Sequence, residues 1–467
     1  MRWVPYQCNS AGGELFCFIG RGRSAFDLTC KYLYNITKNA YERISMMDIF
    51  LGLDLCRKNV QMSYFEEDQD EPTSIYQLNN TETYQLPNVM FYSKDEKKWY
   101  VGNQVSTVRF QQDGQIVEDI VANVGSDKHV TVEGGVYTYD ALLLILLKAH
   151  IEEFLSRSDD YVLKRLTVTL EEYTPKVYQV LGKLRKEFGL AEDAFYIMSH
   201  ENAFFQYVMN QDERLRTNSV AMFEYGAEGM EYYRIDKKHQ GNTRIFYLGK
   251  ENLKEELSYG MLFEDVESLD RKFAEIAKKK MRETYISTVY LTGVGFTDKW
   301  IAESQKVLCD GRRVFMGQNL YTKGACYHAK YGAYEAERDC VLCTEGSIPF
   351  DIGVCIGETE GRNQFYPIAI GGREWYNMKG QVTLFLDDTN RIEMLYRDKV
   401  SKEMQREIIE IHGLPKRPPK TTKISLEVEL TDERVGAIVI RDVGFGRIYP
   451  TTNKIYRKDF SIGHIEG

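Results

Sequence analysis

Residues 49–65, IFLGLDLCRKNVQMSYF, constrain this chain more than any other stretch. An apolar run closes on Asp54, a polar turn follows from Cys56 to Asn59, and a second β-rich run leaves it. That pattern reads as strand, tight turn and strand, with one acid at the end of the first strand. Two further acid-or-glycine turns occur at residues 223–230 and 290–296. Together the three turns read as a phosphate cradle divided between two lobes.

The rest of the chain builds layers around those turns. Thr138 caps a helix whose first turn carries Asp140, and residues 141–147 are apolar on every side, so this helix is expected to be buried. Residues 166–170 read as a strand, Thr174-Pro175 starts a helix that Gly189 ends, and residues 196–198 form a strand before a helix from Ser199. Strand alternating with helix in this order points to α/β layering. Residues 265–285 read as a solvated amphipathic helix, residues 288–291 as a strand, and Thr297 as the cap of the helix that follows. Gly324, Ala325 and Ala329 make the helix after Asn319 able to pack closely. From Ile348 short strands recur, with Ile424, Leu426, Val428 and Leu430 alternating with polar residues, and residues 387–390 read as a hairpin turn.

A chain of 467 residues is too long for one ordinary core and divides into two or three domains. We place an N-terminal extension at residues 1–46, an α/β domain at 47–338, a linker at 339–347 and a β domain at 348–467. Met46 or Met47 reads as the true start, since Glu42-Arg43-Ile44 can be encoded by a purine-rich run like a bacterial ribosome-binding site; the alternative is a short natural extension. The net charge of −9 argues against nucleic acid as the main partner, because phosphate backbones need a basic face. No apolar run reaches the length of a membrane span. Nine cysteines without framework spacing fit free thiols in a reducing cytoplasm. Cys340 and Cys343 have metal-ligand spacing but lack a second pair, so buried thiols are the expected reading.

The order of these pieces resembles the actin/DnaK ATPase superfamily, and its DnaK-type chaperones most. The family's G-[IL]-D-L-G-T-T turn is similar to Gly52-Leu53-Asp54-Leu55-Cys56-Arg57-Lys58, and its D-L-G-G-G-T turn to the stretch from Glu224 to Gly229. Its P-x-x-x-x-F strand with a following V-G resembles Pro87 to Phe91 with Val101-Gly102. Its N-E-P-T-A-A helix start resembles His200-Glu201-Asn202-Ala203, and its V-L-V-G-G resembles Val289 to Gly293. The tail is similar too, with residues 348–354 (IPFDIGV) placed like the first strand of that family's β-sandwich. The likeness covers residues 47 to about 445.

That resemblance implies a two-lobed actin-like ATPase fold of duplicated ribonuclease-H-like lobes, followed by an antiparallel β-sandwich. It implies ATP or ADP with Mg²⁺, with Asp54 and Glu224 orienting the metal through waters and Glu201 orienting the attacking water. Cys56, Arg57, Lys58, Asn59, Gly226, Ala227, Glu228, Gly293, Val294 and Gly295 would surround the nucleotide. The departures are chemical. Cys56 adds a side chain where glycine lets backbone approach phosphate, Glu224 replaces an aspartate, and Glu228 would repel a triphosphate unless Mg²⁺ or Lys58 intervened. The leading expectation is therefore a cytoplasmic, DnaK-like protein using ATP as a conformational ligand coupled to a peptide- or protein-binding sandwich. The alternatives are a pseudo-ATPase scaffold, in which the cleft is remodelled, and a small-molecule kinase of the same superfamily. Phe365, Phe385 and Met394 are expected in the sandwich core, His200 as a helix cap or cleft-lining residue, and His328 as a packed core histidine.

Overall fold

The computed structural model describes residues 46–75, 84–240, 243–296, 300–334, 340–359, 362–378, 380–387 and 390–463. The leader, the Thr297 cap and the centre of the turn at 387–390 lie outside the described residues. The chain is a mixed α/β protein with several sheets.

The first sheet starts with β1 (Met47–Leu55), β2 (Asn59–Glu66) and β3 (Thr73–Ser74), an antiparallel meander. An inserted three-stranded sheet and a hairpin then lead into α1 (Tyr139–Leu155). In that insertion Met90–Ser93 pairs with Lys98–Val101, and residues 104–108 that follow are helical. Next come β4 (Tyr161–Leu170), α2 (Pro175–Glu187), β5 (Phe195–Ser199) and α3 (His200–Met209). β4 joins β1 in parallel and β5 joins β4, giving the order β5-β4-β1-β2-β3. β1 is buried on both faces along its second half, which is why its sequence runs apolar rather than alternating.

The second sheet repeats this plan. β6 (Ser219–Gly226), β7 (Gly229–Gln240) and β8 (Thr243–Asn252) form the meander, then α4 (Val266–Glu283), β9 (Ile286–Thr292), α5 (Ala302–Leu308), β10 (Arg313–Met316) and α6 (Leu320–Tyr331) follow. The order is β10-β9-β6-β7-β8, with β6, β9 and β10 parallel. A sixth strand, β11 (Cys340–Cys343), adds in parallel to β8. The stretch read as a linker is thus the edge of this sheet. Residues three apart on a strand face opposite sides, so Cys340 and Cys343 do not converge as ligands.

α1 and α2 cover one face of the first sheet, and α4 and α5 the outer face of the second. α3 and α6 fill the middle. Their crossing depends on small residues: a Cβ at Gly324 would sit 1.9 Å from the Ala203 carbonyl oxygen, and one at Gly52 would sit 2.2 Å from the Thr322 carbonyl oxygen. The expected close packing of the small-residue helix is therefore real.

The C-terminal strands are β12 (Phe350–Thr359), β13 (Arg362–Ala369), β14 (Gly380–Leu386), β15 (Arg391–Asp398), β16 (Met404–Glu410), β17 (Thr422–Leu430), β18 (Val435–Asp442) and β19 (Ile455–Ser461). They form two four-stranded antiparallel sheets, β13-β12-β15-β16 and β14-β17-β18-β19. Ile352 and Met394 from one sheet meet Ile424, Leu426, Ile438 and Ile440 from the other in a shared core. Met394 is core as expected. Phe385 is not: it sits on edge strand β14, 49% exposed, edge-on to Phe445.

Candidate functional site

Open α/β sheets place chemistry at the carboxyl ends of their parallel strands. Here β1 ends at Asp54 and Leu55, β4 runs into Glu171, β5 runs into His200, and β6 carries Glu224 near its end. Asp54 and His200 are buried, 3% and 5% exposed. His200 Nε2 donates to Asp54 Oδ1 at 2.8 Å, and the Cys56 thiol lies 3.5 Å from Asp54 Oδ2. The helix cap is Ser199, whose hydroxyl accepts from the Asn202 amide, so His200 is free to reach into the cleft from the first turn of α3.

The second sheet carries a matching arrangement. Tyr321, in the first turn of α6, donates its hydroxyl to Glu224. The two rings then meet: His200 stacks on Tyr321 at 3.9 Å between centroids with 13° between planes. Asp54, His200, Tyr321 and Glu224 form one continuous chain from the first sheet to the second. Burial works against charge on His200, but the Asp54 carboxylate and its hydrogen bond, helped by Glu224 and Glu201, outweigh it and hold the imidazole at about 9. Burial raises the Glu224 carboxyl, with His200 and Tyr321 opposing. Burial first, then Asp54, Glu171 and Glu224, push the Cys56 thiol well above its ordinary value.

Most of the other expected site residues are held by groups outside this chain of contacts. The Arg57 amide donates to the Glu171 carboxylate at 3.4 Å, and the Cys56 amide to the Asn59 carbonyl at 3.0 Å. Asn88 Nδ2 holds the Cys56 carbonyl at 2.8 Å, while Lys58 pairs with Asp119. Asn59 begins β2, and its Oδ1 is buried without a hydrogen-bond partner among the described residues. Glu201 is 3.8 Å from Lys250, which also pairs with Glu231 at 3.1 Å. Gly226 pairs with Gly229 across the second tip, where Ala227 and Glu228 are exposed and Glu228 reaches Lys254 at 3.1 Å. Gly293 adopts φ 96°, and a Cβ on either Gly293 or Gly295 would strike Tyr225 at 2.5 Å. Val294 between them is 39% exposed. These glycines allow close approach to Tyr225.

Mg²⁺-nucleotide fits this arrangement poorly. An anion cradle needs unengaged amides, yet the Arg57 amide already holds a carboxylate. The stacked rings occupy the interval between the two acids that would share the metal. Lys58 and Glu228, expected to face a common phosphate, are engaged with Asp119 and Lys254 instead.

The sandwich grips this region from below. Glu374, 3% exposed, accepts from Asn202 Nδ2 at 2.7 Å and from the Tyr196 hydroxyl at 3.0 Å. Asn377 Nδ2 donates to the Ile197 carbonyl at 2.6 Å, and Tyr376 stacks on Tyr173 at 4.2 Å. The α3 turn that carries His200 is thus also the anchor of the C-terminal domain. Sequence reasoning missed Glu171, Tyr321, Asn88 and Glu374. Glu171 alone left a signal, as an acid directly after a parallel strand.

His328, expected in the core, is half-buried, with its Nδ1 3.1 Å from the Thr167 hydroxyl and its ring against Tyr196. No helix among the described residues is long and apolar enough to cross a membrane. No curated protein matches the chain. Residues 347–462 match a domain of unknown function (DUF8552), which begins where the α/β portion ends. Residues 71–345, more than half of the sequence, covering the whole second sheet and the first sheet apart from β1 and β2, match the C-terminal part of a family of unknown function, DUF5716; the chain belongs to that family.

Proposed function

We propose that this chain is an actin-like protein of duplicated lobes that has lost nucleotide turnover and serves as an interaction protein through its C-terminal sandwich. The repeated sheet order supports the fold part of this reading: each lobe is an antiparallel meander followed by two parallel strands, and each runs on into a helix of the middle layer. The observation that carries the functional part is the His200–Tyr321 stack lodged between Asp54 and Glu224. It links the acids of the two lobes without a ligand and argues equally against a small-molecule kinase. The proposed partner is an extended protein segment that adds to a sandwich edge, where Phe385 on β14 offers an exposed aromatic contact. The proposed setting is the cytoplasm, where the free thiols would stay reduced.

Isothermal titration with Mg-ATP tests the reading. Absence of heat and of a thermal shift at millimolar nucleotide is the expected result. Heat that disappears in Glu224→Ala and Lys58→Ala would overturn it in favour of ATP as a conformational ligand. That second reading draws its support from the acids placed alike near the ends of β1 and β6.

A further inference from the structure

The same cleft that suits a phosphate poorly is well furnished for a cation. Asp54, Cys56 and His200 each offer a ligand atom, and these atoms all lie within 4.8 Å of one another. They come from the end of β1, the turn after it and the first residue of α3, positions separated widely in sequence. Asp54 and His200 are buried, whereas Cys56 is half-buried. The His200 ring is already oriented by its stack on Tyr321.

The surroundings are acidic. Asp54 lies beside the Cys56 thiol, Glu171 faces the adjoining Arg57 amide, and Glu224 is joined to the His200 ring through Tyr321. The neighbouring lysine is turned to Asp119. A dication can replace the two protons this cluster holds without changing its net charge.

We propose that Asp54, Cys56 and His200 bind a borderline-soft divalent cation of the zinc type, with three protein donors and one position left to water. Bonds of about 2.0–2.3 Å are needed, which modest side-chain rotations reach from the present spacing. Mg²⁺, a hard ion that takes oxygen donors, is a poor match for imidazole and thiolate. On binding, the Cys56 thiol loses its proton and His200 Nε2 gives up the one it shares with Asp54; both protons leave to solvent, and the metal takes their place. The assignment rests on the donor set and stands whether or not the chain binds nucleotide.

Chelator-stripped full-length protein titrated with cobalt(II) tests it. The expected result is saturation at one equivalent, with thiolate-to-cobalt charge-transfer absorption that zinc abolishes by competition. Cys56→Ser removes the charge-transfer band, and zinc then no longer raises the melting temperature. Cys340→Ser, which alters a thiol elsewhere, keeps the band. Wild-type protein without a charge-transfer band, or a band that survives Cys56→Ser or vanishes in Cys340→Ser, overturns the assignment.

Discussion

Two buried aspartates, one in each half of the molecule, are satisfied to very different degrees. Asp442 in the sandwich is 2% exposed and held by a bidentate Arg417 at 2.8 and 2.9 Å. It also accepts from the Gly444 amide and from both the amide and the hydroxyl of Thr452. Asp54 in the α/β portion is equally buried, yet its partners are one imidazole and one weak thiol donor at 3.5 Å. A carboxylate with every lone pair engaged fixes a loop. A carboxylate left short of donors, beside other acids, is one that can take a ligand.

The largest effect should come from breaking the complete cluster. Asp442→Ala leaves Arg417 buried and unpaired and should cost roughly 3–5 kcal/mol. Denaturant unfolding would read it, and a loss below about 1 kcal/mol would show the pair to be idle.

The pH dependence should have opposite signs in the two halves. Arg417 and the Thr452 and Gly444 donors outweigh burial and hold the Asp442 carboxyl far below its usual range. Its contribution is present above the unfolded value, about 3.9, and is lost as pH falls toward the folded one. His200 in metal-free protein has its value raised from 6.5 to about 9. Its contribution is complete below 6.5 and disappears as pH rises toward 9, by up to roughly 3 kcal/mol. Melting curves between pH 6 and 9 should therefore slope downward in wild type and flatten in His200→Gln; parallel slopes would refute the pairing.

Gly324→Ala should destabilise the lobe crossing by about 1–3 kcal/mol, because α3 and α6 must move apart to admit the methyl group. The lobes should loosen while the sandwich keeps its protection from hydrogen exchange. The smallest change is Tyr321→Phe. It keeps the ring stack and deletes only the hydroxyl to Glu224, so about 1 kcal/mol is expected. A much larger loss would mean that Glu224, rather than Asp54, is the more poorly compensated acid.

Local chemistry was legible wherever a few neighbouring residues decide the outcome. Thr138, Thr174 and Ser199 each cap the helix they were expected to cap, with amides at 3.3, 3.2 and 3.2 Å. The alternation of Ile424, Leu426 and Val428 placed them in the sandwich core. Two features were hidden because they are set at long range. Cys340 to Cys343 carries no mark distinguishing a linker from an edge strand, since its partner strand lies about a hundred residues earlier. Arg417 lies in the connector between β16 and β17, and its enclosed pairing with Asp442, on a strand further along, has no local mark.

By itself the sequence determined the elements, the apolar centre of β1, and the acids that close β1 and β6, because side-chain periodicity and capping act over a few residues. Only the tertiary structure decided what those acids do. His200 and Tyr321, each in the first turn of a helix, lie 146 and 97 residues beyond the acids they bind. Their rings stack because Gly324 lets those helices cross closely, and Glu171 takes the amide that a phosphate would have used. Contacts closed across such distances leave no periodic trace in the chain, so the character of the cleft became readable only once it had folded.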